Sequence, residues 1–310
     1  MLTPRENLHL FGHHEARDFF LKAFHSDRFF HGWILSGPFG VGKATFAYHM
    51  ARYILSGRKD GNTIFTENDP LHCRIKAQSH ADFRVIEGGE GGEIGIEPIR
   101  NLNSFMSQTT FEGGWRVVLI DGVEKLNRNA ANALLKRLEE PSAKTVFFLV
   151  TCSLRSLFPT IRSRCQVLPF LPLEEDHLKA ILTSQKLHLP SFFHIVQGSP
   201  GRLIRLIEGK GEELFHSLTK VLEGASIPDF IQTHMGEEGA FEIIEDLLRN
   251  YLHTHLVEKA EGRPSFFEKV SLEEALEIHN KATHLLDQCK RAQLDKKITL
   301  NCVLDHLKLA

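Results

Sequence analysis

The amino-acid sequence predicts an α/β fold: a parallel β-sheet covered on both faces by helices, followed by an all-helical region. Two observations support this prediction. In the first 170 residues, short apolar runs alternate with helical patterns, which is typical of an open parallel sheet. After Pro172 only amphipathic helical patterns follow, broken by Gly and Pro, and no further strand is predicted.

The predicted strands are short and mostly apolar. The two clearest ones contain the uninterrupted apolar runs Val117–Ile120 and Val146–Val150. Runs without polar alternation suit strands that are buried on both faces of a parallel sheet. With three weaker runs, the predicted strands are Trp33–Ser36, Phe83–Glu87, Arg116–Asp121, Thr145–Thr151 and Gln166–Phe170.

Two helices are predicted between these strands, at Lys43–Leu55 and Asn127–Glu140. In the second helix apolar residues recur on one face, and Pro141 forbids its continuation. Apolar stripes in the later sequence predict helices around Phe241–Lys259 and Lys281–Leu309.

The composition excludes several classes of protein. The chain has 310 residues and a formal net charge of −2, so it has room for two or three domains and is not a strongly basic nucleic-acid module. Its five cysteines are scattered and odd in number, which favours a reducing compartment over a disulfide framework. No apolar run approaches the roughly 18 residues of a membrane span, and the charged N-terminus lacks the apolar stretch of a signal peptide. We therefore expect a cytoplasmic protein without a membrane partner.

A phosphate-binding loop is predicted between the strand Trp33–Ser36 and the helix Lys43–Leu55. The segment Gly37-Pro38-Phe39-Gly40-Val41-Gly42-Lys43-Ala44 matches three of the four fixed positions of the template G-x-x-x-x-G-K-[ST]. In such loops glycines let backbone N–H groups turn toward an anion, and the lysine reaches the terminal phosphates. The alternative is a glycine turn that packs a helix on the sheet and binds no ligand.

The metal-binding part of this loop is incomplete. Ala44 stands where a hydroxyl would coordinate Mg²⁺. Thr45 is one residue late and is rotated by about 100° around the helix, so it cannot easily substitute. Asp121, at the end of its predicted strand, matches the aspartate that holds the metal in phosphate-loop ATPases.

Four segments of the chain are distinctive: His31–Pro38, Asn132–Pro141, Ile161–Cys165 and Gly198–Arg202. Together they resemble the clamp-loader branch of the AAA+ family. The most specific are a helix that ends in Leu-Glu-Glu-Pro and a Ser-Arg-Cys motif, whereas the phosphate loop alone is less specific. Order and spacing match over residues 8–207, and the C-terminal third fits more loosely.

The resemblance implies roles for three polar residues, each with a structural alternative. Thr151 matches the first sensor, which reads the terminal phosphate in active relatives; alternatively its hydroxyl caps the end of a strand. Arg202 matches the second sensor, or is a solvent-exposed arginine in the first turn of a helix. Arg164, of the Ser-Arg-Cys motif, matches the arginine finger that acts on the ATP of a neighbouring subunit; the alternative is a surface arginine.

The resemblance also implies that this chain does not hydrolyse ATP at its own site. Active relatives carry a water-activating glutamate directly after the metal-binding aspartate, but here Gly122 follows Asp121. Glu124 lies two residues further on and is expected to point elsewhere. We therefore expect that no cofactor is required and that ATP or ADP binding is at most weak. The residues for such binding would be Gly37, Gly40, Gly42, Lys43, Asp121, Thr151 and Arg202.

A zinc site is not predicted. Many relatives carry a four-cysteine zinc module between the phosphate loop and the second strand, but residues 56–82 contain only Cys73, with His72 and His80 nearby. Structural zinc takes four ligands at defined spacing, so free surface residues are the better interpretation.

The resemblance implies three domains: an AAA+ α/β domain at 1–170, a small helical lid at 171–208 and a helical collar for oligomerisation at 209–310. It further implies a stator subunit in a pentameric clamp-loader ring with the delta and the gamma or tau chains of DNA polymerase III. The loader opens the sliding clamp and closes it on primer–template DNA. No feature predicts nucleotidyl transfer by this chain. The alternatives are an active gamma- or tau-type ATPase and an unrelated phosphate-loop enzyme such as a small-molecule kinase.

Overall fold

The computed structural model describes residues 3–26, 29–61, 63–88, 92–110 and 114–308. The strands are β1 (Gly32–Ser36), β2 (Phe83–Glu87), β3 (Arg116–Asp121), β4 (Thr145–Thr151) and β5 (Gln166–Pro169). The helices are α1 (His14–Phe24), α2 (Lys43–Leu55), α3 (Pro70–Lys76), α4 (Ile96–Ser107), α5 (Arg128–Glu139), α6 (Pro159–Arg162), α7 (Glu175–Ser184), α8 (Pro200–Glu208), α9 (Gly211–Leu222), α10 (Ile227–His234), α11 (Ala240–Ala260), α12 (Leu272–Arg291) and α13 (Lys296–Leu307).

The five strands form one parallel sheet in the order β2-β3-β4-β1-β5. The predicted parallel sheet is therefore confirmed. Every residue of β1 and β4 is buried, as expected for inner strands of a parallel sheet that is covered on both faces. The strands β2, β3 and β4 have the predicted bounds, whereas β1 begins one residue earlier and β5 ends one residue earlier than predicted.

Alternate residues of β1 face opposite sides of the sheet and form two separate cores. Trp33 packs with α1 and α2, where its ring centroid lies 4.8 Å from that of Phe20. Ile34 lies in the core on the other face, together with Leu134 and Leu138 of α5. Helices cover both faces, as predicted for a parallel sheet.

The two predicted helices of this part of the chain form at the expected places. Helix α2 has the predicted bounds, and α5 begins one residue after Asn127, whose side chain caps it by accepting from the Ala130 N–H at 2.9 Å. Pro141 follows the last turn of α5 and prevents its continuation.

The chain divides into two compact units. The first runs to Ile181 and includes Gly198–Gly201, and the second contains Leu182–Gln197 and the chain from Arg202 onward. In the second unit, Phe192 and Leu206 belong to the same hydrophobic cluster as Leu247 of α11. Residues 182–197 and 202–208 thus share a core with the C-terminal helices. The division into domains at 1–170, 171–208 and 209–310 stays a prediction.

The C-terminal helices differ in one place from the predicted pattern. The stretch Lys281–Leu309, whose last residue lies outside the described part, is predicted to be amphipathic helix, but it contains the end of α12 and the separate helix α13. The break arises because Asp295 caps α13, accepting from the N–H groups of Lys297 and Ile298 at 2.9 Å each. Within the described ranges, no helix is both long enough and apolar enough to span a membrane.

We predict that Leu206→Ala destabilises the second unit by about 2–5 kcal/mol, because it removes a fully buried side chain from the shared cluster. Leu189→Ala is the matched control, since Leu189 is 59% exposed and should change the free energy of unfolding by less than about 0.5 kcal/mol. Urea unfolding followed by circular dichroism measures both variants. Equal stability of the two variants would show that the segment 182–208 does not share this core.

Candidate functional site: phosphate loop and Arg164

The phosphate loop follows β1 at the carboxyl edge of the sheet, and its glycines are required by its backbone. Gly40 and Gly42 adopt φ values of 76° and 108°, in the left-handed region that favours glycine. At Gly37 a side chain would collide with the backbone carbonyl of Phe170. The loop therefore keeps the glycine geometry of a phosphate cradle.

Lys43 of the loop is almost completely buried, and its ammonium group donates to loop carbonyls. Its Nζ lies 2.7 Å from the Gly37 carbonyl, 2.6 Å from the Pro38 carbonyl and 3.8 Å from Cys152 Sγ. Burial lowers the pKa of Lys43, and the nearby Cys152 and Asp121 oppose that shift. Two of the three hydrogen bonds of the ammonium group are therefore made within the loop itself.

A segment far away in the sequence, Gly198–Gly201, fixes the outer side of the same loop. The Ser199 hydroxyl donates to the Phe39 carbonyl at 2.6 Å, and the Gly201 N–H donates to the Gly40 carbonyl at 2.7 Å. A side chain at Gly201 would approach Gly40 Cα to 2.8 Å. The sequence identified this segment as a break before a helix and as the place of the second-sensor arginine, so the contacts of Ser199 and Gly201 with the loop were missed.

His13 is a further residue of the loop that sequence reasoning missed. Its Nε2 lies 2.8 Å from the Val41 carbonyl, and burial lowers the pKa of the imidazole. A neutral imidazole donates this hydrogen bond from a protonated Nε2. With the bonds of Lys43, Ser199 and Gly201, each loop carbonyl from residue 37 to residue 41 accepts a hydrogen bond. The loop is therefore held in one conformation.

A cavity of about 410 Å³ opens beside the loop at the carboxyl ends of β3 and β4. Asp121 lies in this cavity, and its pKa is raised, first by burial and then by the charge of Glu87. The wall on one side is made by the N-terminal segment. The lining residues are Thr3, Pro4, Arg5, Phe39, Tyr48, Glu87, Gly88, Asp121, Gly122, Glu124, Lys125, Val150, Thr151 and Cys152.

The expectation that Glu124 points elsewhere is wrong, because Glu124 lines this cavity together with Asp121. Glu124 Oε1 accepts from the Cys152 N–H at 3.2 Å. The chain returns to the cavity because Gly122 adopts φ 82° and a single 3-10 turn follows it. A side chain at Gly122 would meet the Lys125 methylenes at 3.0 Å, so the backbone there disfavours a glutamate.

Thr151 and Arg202 have internal partners. The buried Thr151 hydroxyl donates to the Ser153 carbonyl and accepts from the Ser153 N–H, both at 3.1 Å, which is the geometry of a strand-end cap. In the second unit, Arg202 Nε lies 3.4 Å from Asp246 Oδ1, and each side chain of this pair is 15% exposed. Arg202 is therefore mostly buried. The sensor roles of both residues stay predictions.

Arg164 lies at the other edge of the sheet. It precedes β5, whose first residue, Gln166, is paired with Trp33 near the start of β1. The phosphate loop, by contrast, follows Ser36 at the end of β1. The Arg164 side chain is 35% exposed and forms an ion pair with Glu139, with Nη2 and Oε1 2.6 Å apart.

Three of the sequence motifs meet at this second edge. A side chain at Gly32 would come within 2.7 Å of Cys165 Sγ and 3.4 Å of the Leu138 side chain. His31 Nε2 lies 2.7 Å from the Leu138 carbonyl. The His-Gly pair, the Leu-Glu-Glu-Pro helix and the Ser-Arg-Cys motif are thus parts of one packed site that presents Arg164.

The candidate zinc ligands form no cluster. Cys73 Sγ donates to the Glu67 carbonyl at 3.4 Å, and His72 Nε2 lies 3.5 Å from the carboxylate of that glutamate. In the part of the chain that the structure describes, no three His, Cys, Asp or Glu side chains are grouped as metal ligands.

The sheet order, with a phosphate loop after β1 and an aspartate at the end of β3, defines a protein of the AAA+ class. A family profile described as "DNA polymerase III, delta subunit" matches residues 12–174. The chain belongs to this family. The resemblance to bacterial clamp-loader proteins is therefore confirmed.

Two relatives illustrate the similarity, and both are DNA polymerase III delta-prime subunits. The Pseudomonas aeruginosa protein is 40% identical over 136 residues, which are 44% of this chain and 41% of the relative. The Escherichia coli protein is 28% identical over 211 residues, 65% of this chain and 62% of the relative. The matched regions thus span less than two thirds of the length of either relative.

One solved structure shows the same fold over nearly the whole chain. It is a DNA polymerase III gamma-subunit-related protein of Thermotoga maritima, with a TM-score of 0.52 and 17% identity. The match covers 95% of this chain and 98% of that protein. At this identity the similarity concerns the fold alone, and it extends to the helical C-terminal region.

We predict that Asp121→Asn raises the free energy of unfolding at about pH 7. The folded-state pKa of Asp121 lies above its ordinary value, so stability falls as the pH rises through that range and the carboxylate ionises in its buried position. The neutral amide avoids this penalty. Urea unfolding at about pH 7 and about pH 4 tests the prediction, and the difference from the natural chain should shrink at the lower pH.

Asp18→Asn serves as the control, because the Asp18 side chain is 64% exposed. It should leave the free energy of unfolding nearly unchanged at both pH values. A destabilising effect of Asp121→Asn at neutral pH would mean that the carboxylate makes favourable interactions that outweigh its burial.

Proposed function

We propose that this chain is a non-hydrolysing stator subunit of the sliding-clamp loader of DNA polymerase III, and that Arg164 acts in trans on the ATP of a neighbouring subunit. The observation that carries the proposal is the position of Arg164 at the sheet edge opposite the chain's own phosphate loop. The names of the relatives support the assignment to DNA polymerase III.

The separation of the two sites follows from the geometry of β1. Its five residues rise by about 3.3 Å each, so roughly 16 Å of buried strand separates its two ends. Arg164 lies before the amino end and the loop lies after the carboxyl end, with the sheet between them. A partly exposed arginine in that position can serve a phosphate only on another chain.

The chain's own loop supports the non-hydrolysing role. Ala44 supplies no hydroxyl for a metal, and Gly122 supplies no carboxylate. The left-handed backbone at Gly122 and the adjacent Lys125 side chain disfavour a side chain directly after Asp121. Binding of ATP or ADP through Lys43 would require exchange of its two carbonyl bonds for phosphate.

The wider assembly belongs to the same proposal. The chain would join delta and gamma or tau subunits through its C-terminal helices, and the complete ring would load the sliding clamp on primer–template DNA in the cytoplasm. This chain itself carries out no polymerisation. Its contribution is to present Arg164 in a fixed geometry at the amino edge of the sheet.

A second candidate function is an active ATPase subunit of the gamma or tau kind. The observation that favours it is the position of Glu124, which lines the cavity together with Asp121 and accepts from the Cys152 N–H through Oε1. A carboxylate there can in principle orient water near a bound phosphate. The two functions differ in whether the isolated chain turns over ATP.

We predict that the purified chain hydrolyses ATP no faster than buffer, because the metal hydroxyl and the glutamate after Asp121 are missing. Steady-state phosphate release measures this, with Lys43→Ala and Glu124→Gln as the paired variants. Both variants should match the natural chain. Robust hydrolysis that either substitution abolishes would establish the active ATPase and refute the stator.

We predict that Arg164→Ala reduces the DNA- and clamp-stimulated ATPase of the reconstituted loader without preventing its assembly. A finger in trans can contribute roughly 10³–10⁵ in rate at the site that it serves, so one site should be silenced while the others continue. Clamp loading should slow more than total ATPase, since opening and release depend on coupled sites.

Arg162→Ala is the control for this experiment, because Arg162 is an exposed arginine of α6, two residues away. It should load clamps at the rate of the natural complex. The reverse result would assign the finger to Arg162. If both variants load clamps at the normal rate, neither arginine acts as a finger and this part of the proposal is refuted.

A further inference from the structure

The Arg164 guanidinium is held in place by one side-chain carboxylate and by its own turn. Nη2 lies 2.6 Å from Glu139 Oε1, while Nη1 donates to the Thr160 carbonyl at 3.0 Å and to the Ser163 hydroxyl at 3.2 Å. Both partners of the ion pair remain partly open to solvent, with 35% of Arg164 and 47% of Glu139 exposed. The side chain is thus ordered and still accessible.

The backbones that carry this pair are fixed by the start of β1. Leu138, next to Glu139, and Cys165, next to Arg164, both pack against Gly32. His31 stabilises the same packing through its hydrogen bond to the Leu138 carbonyl. The pairing of Glu139 with Arg164 therefore follows from the packed interior and is not a chance contact of two long surface side chains.

We propose that Glu139 is a positioning residue for the arginine finger, a role that rests on the proposed function of Arg164. A guanidinium carries five N–H groups, and the three contacts use three of them. Two N–H groups are left, the number needed for a bidentate contact with phosphate oxygens. Glu139 thus fixes the direction of the guanidinium and leaves these two N–H groups available for phosphate oxygens.

A positioning role fits the observed burial better than a restraining one. An ion pair with both partners this exposed is weak, so it cannot withhold the arginine from a more highly charged phosphate. A long arginine side chain, however, loses much conformational freedom when it is ordered for catalysis. Ordering it beforehand lowers that loss at the moment when the neighbouring subunit reacts.

The ion pair can be tested on the isolated chain, independently of the clamp loader. Phenylglyoxal reacts with accessible arginines, and peptide mass spectrometry gives the rate at each position. In Glu139→Ala, the modification of Arg164 should become about five-fold faster, because the free energy of a partly exposed ion pair corresponds to a rate change of about that size. The modification rate of Arg162 should stay unchanged. Glu140→Ala, which alters the next exposed carboxylate, should change neither rate. An unchanged Arg164 rate in Glu139→Ala would overturn the proposal.

The functional test uses the reconstituted loader and its DNA- and clamp-stimulated ATPase. Glu139→Ala should lower kcat by about three- to ten-fold with the KM for ATP unchanged, because a mispositioned finger weakens only transition-state contacts. Glu139→Gln should retain most of the activity, since its amide oxygen still accepts from Arg164. In the Arg164→Ala background, Glu139→Ala should cause no further loss.

The outcomes separate this inference from the function on which it rests. If Arg164→Ala lowers the ATPase but Glu139→Ala has no effect or an additive one, the positioning role is overturned and the finger stands. An increase in ATPase with Glu139→Ala would show a restraint and would also overturn it. If Arg164→Ala has no effect, the finger itself fails.

Discussion

The close packing at both ends of β1 is the constraint on which the rest of the first unit depends. At its amino end Gly32 lies against Cys165, and just beyond its carboxyl end Gly37 lies against the Phe170 backbone. A side chain at either glycine would force the neighbouring segment away. The strand is fixed between β4 and β5, and it sets the positions of two sites at opposite edges of the sheet.

Because the same buried strand carries both sites, neither can move along the sheet without disturbing the other. The loop at the carboxyl edge is held by contacts from Ser199, Gly201 and His13, and the arginine at the amino edge is held by Glu139. Interiors packed at crystal-like density transmit such constraints instead of absorbing them. A chain built in this way presents one surface in a constant geometry, which is the property that the proposed stator role requires.

The strands and the main helices could be predicted because their signals are local. Uninterrupted apolar runs identify buried strands, and Asn127 and Pro141 mark the two ends of α5. The contacts that shape the sites are not local: Ser199 reaches the Phe39 carbonyl across 160 residues, and no pattern in a single sequence records such a pair. Cys165 and Gly32 illustrate the same limit, since only the packed structure shows why a small residue is needed there.

Glu124 shows why spacing alone misled the prediction at the candidate nucleotide site. Three residues beyond Asp121, an extended chain would have left the sheet edge, but the left-handed Gly122 and the short turn after it bring the chain back. The glycine that removes the expected glutamate thus also places a different carboxylate in the cavity. The residue types allow this backbone conformation but do not specify it, and the conformation decides where the charge of Glu124 lies.

The hydrogen bonds of the buried Lys43 ammonium group also hold the phosphate loop in one conformation. A buried ammonium group is costly unless hydrogen bonds satisfy it, and here the carbonyls of Gly37 and Pro38 supply two of them. A bound phosphate would have to replace these two hydrogen bonds of Lys43, which makes the free energy of phosphate binding less favourable. The same bonds keep the loop, and through Gly37 the end of β1, in place. A site that satisfies its own lysine in this way can lose its metal-binding hydroxyl at Ala44 and still serve as a structural part of the subunit.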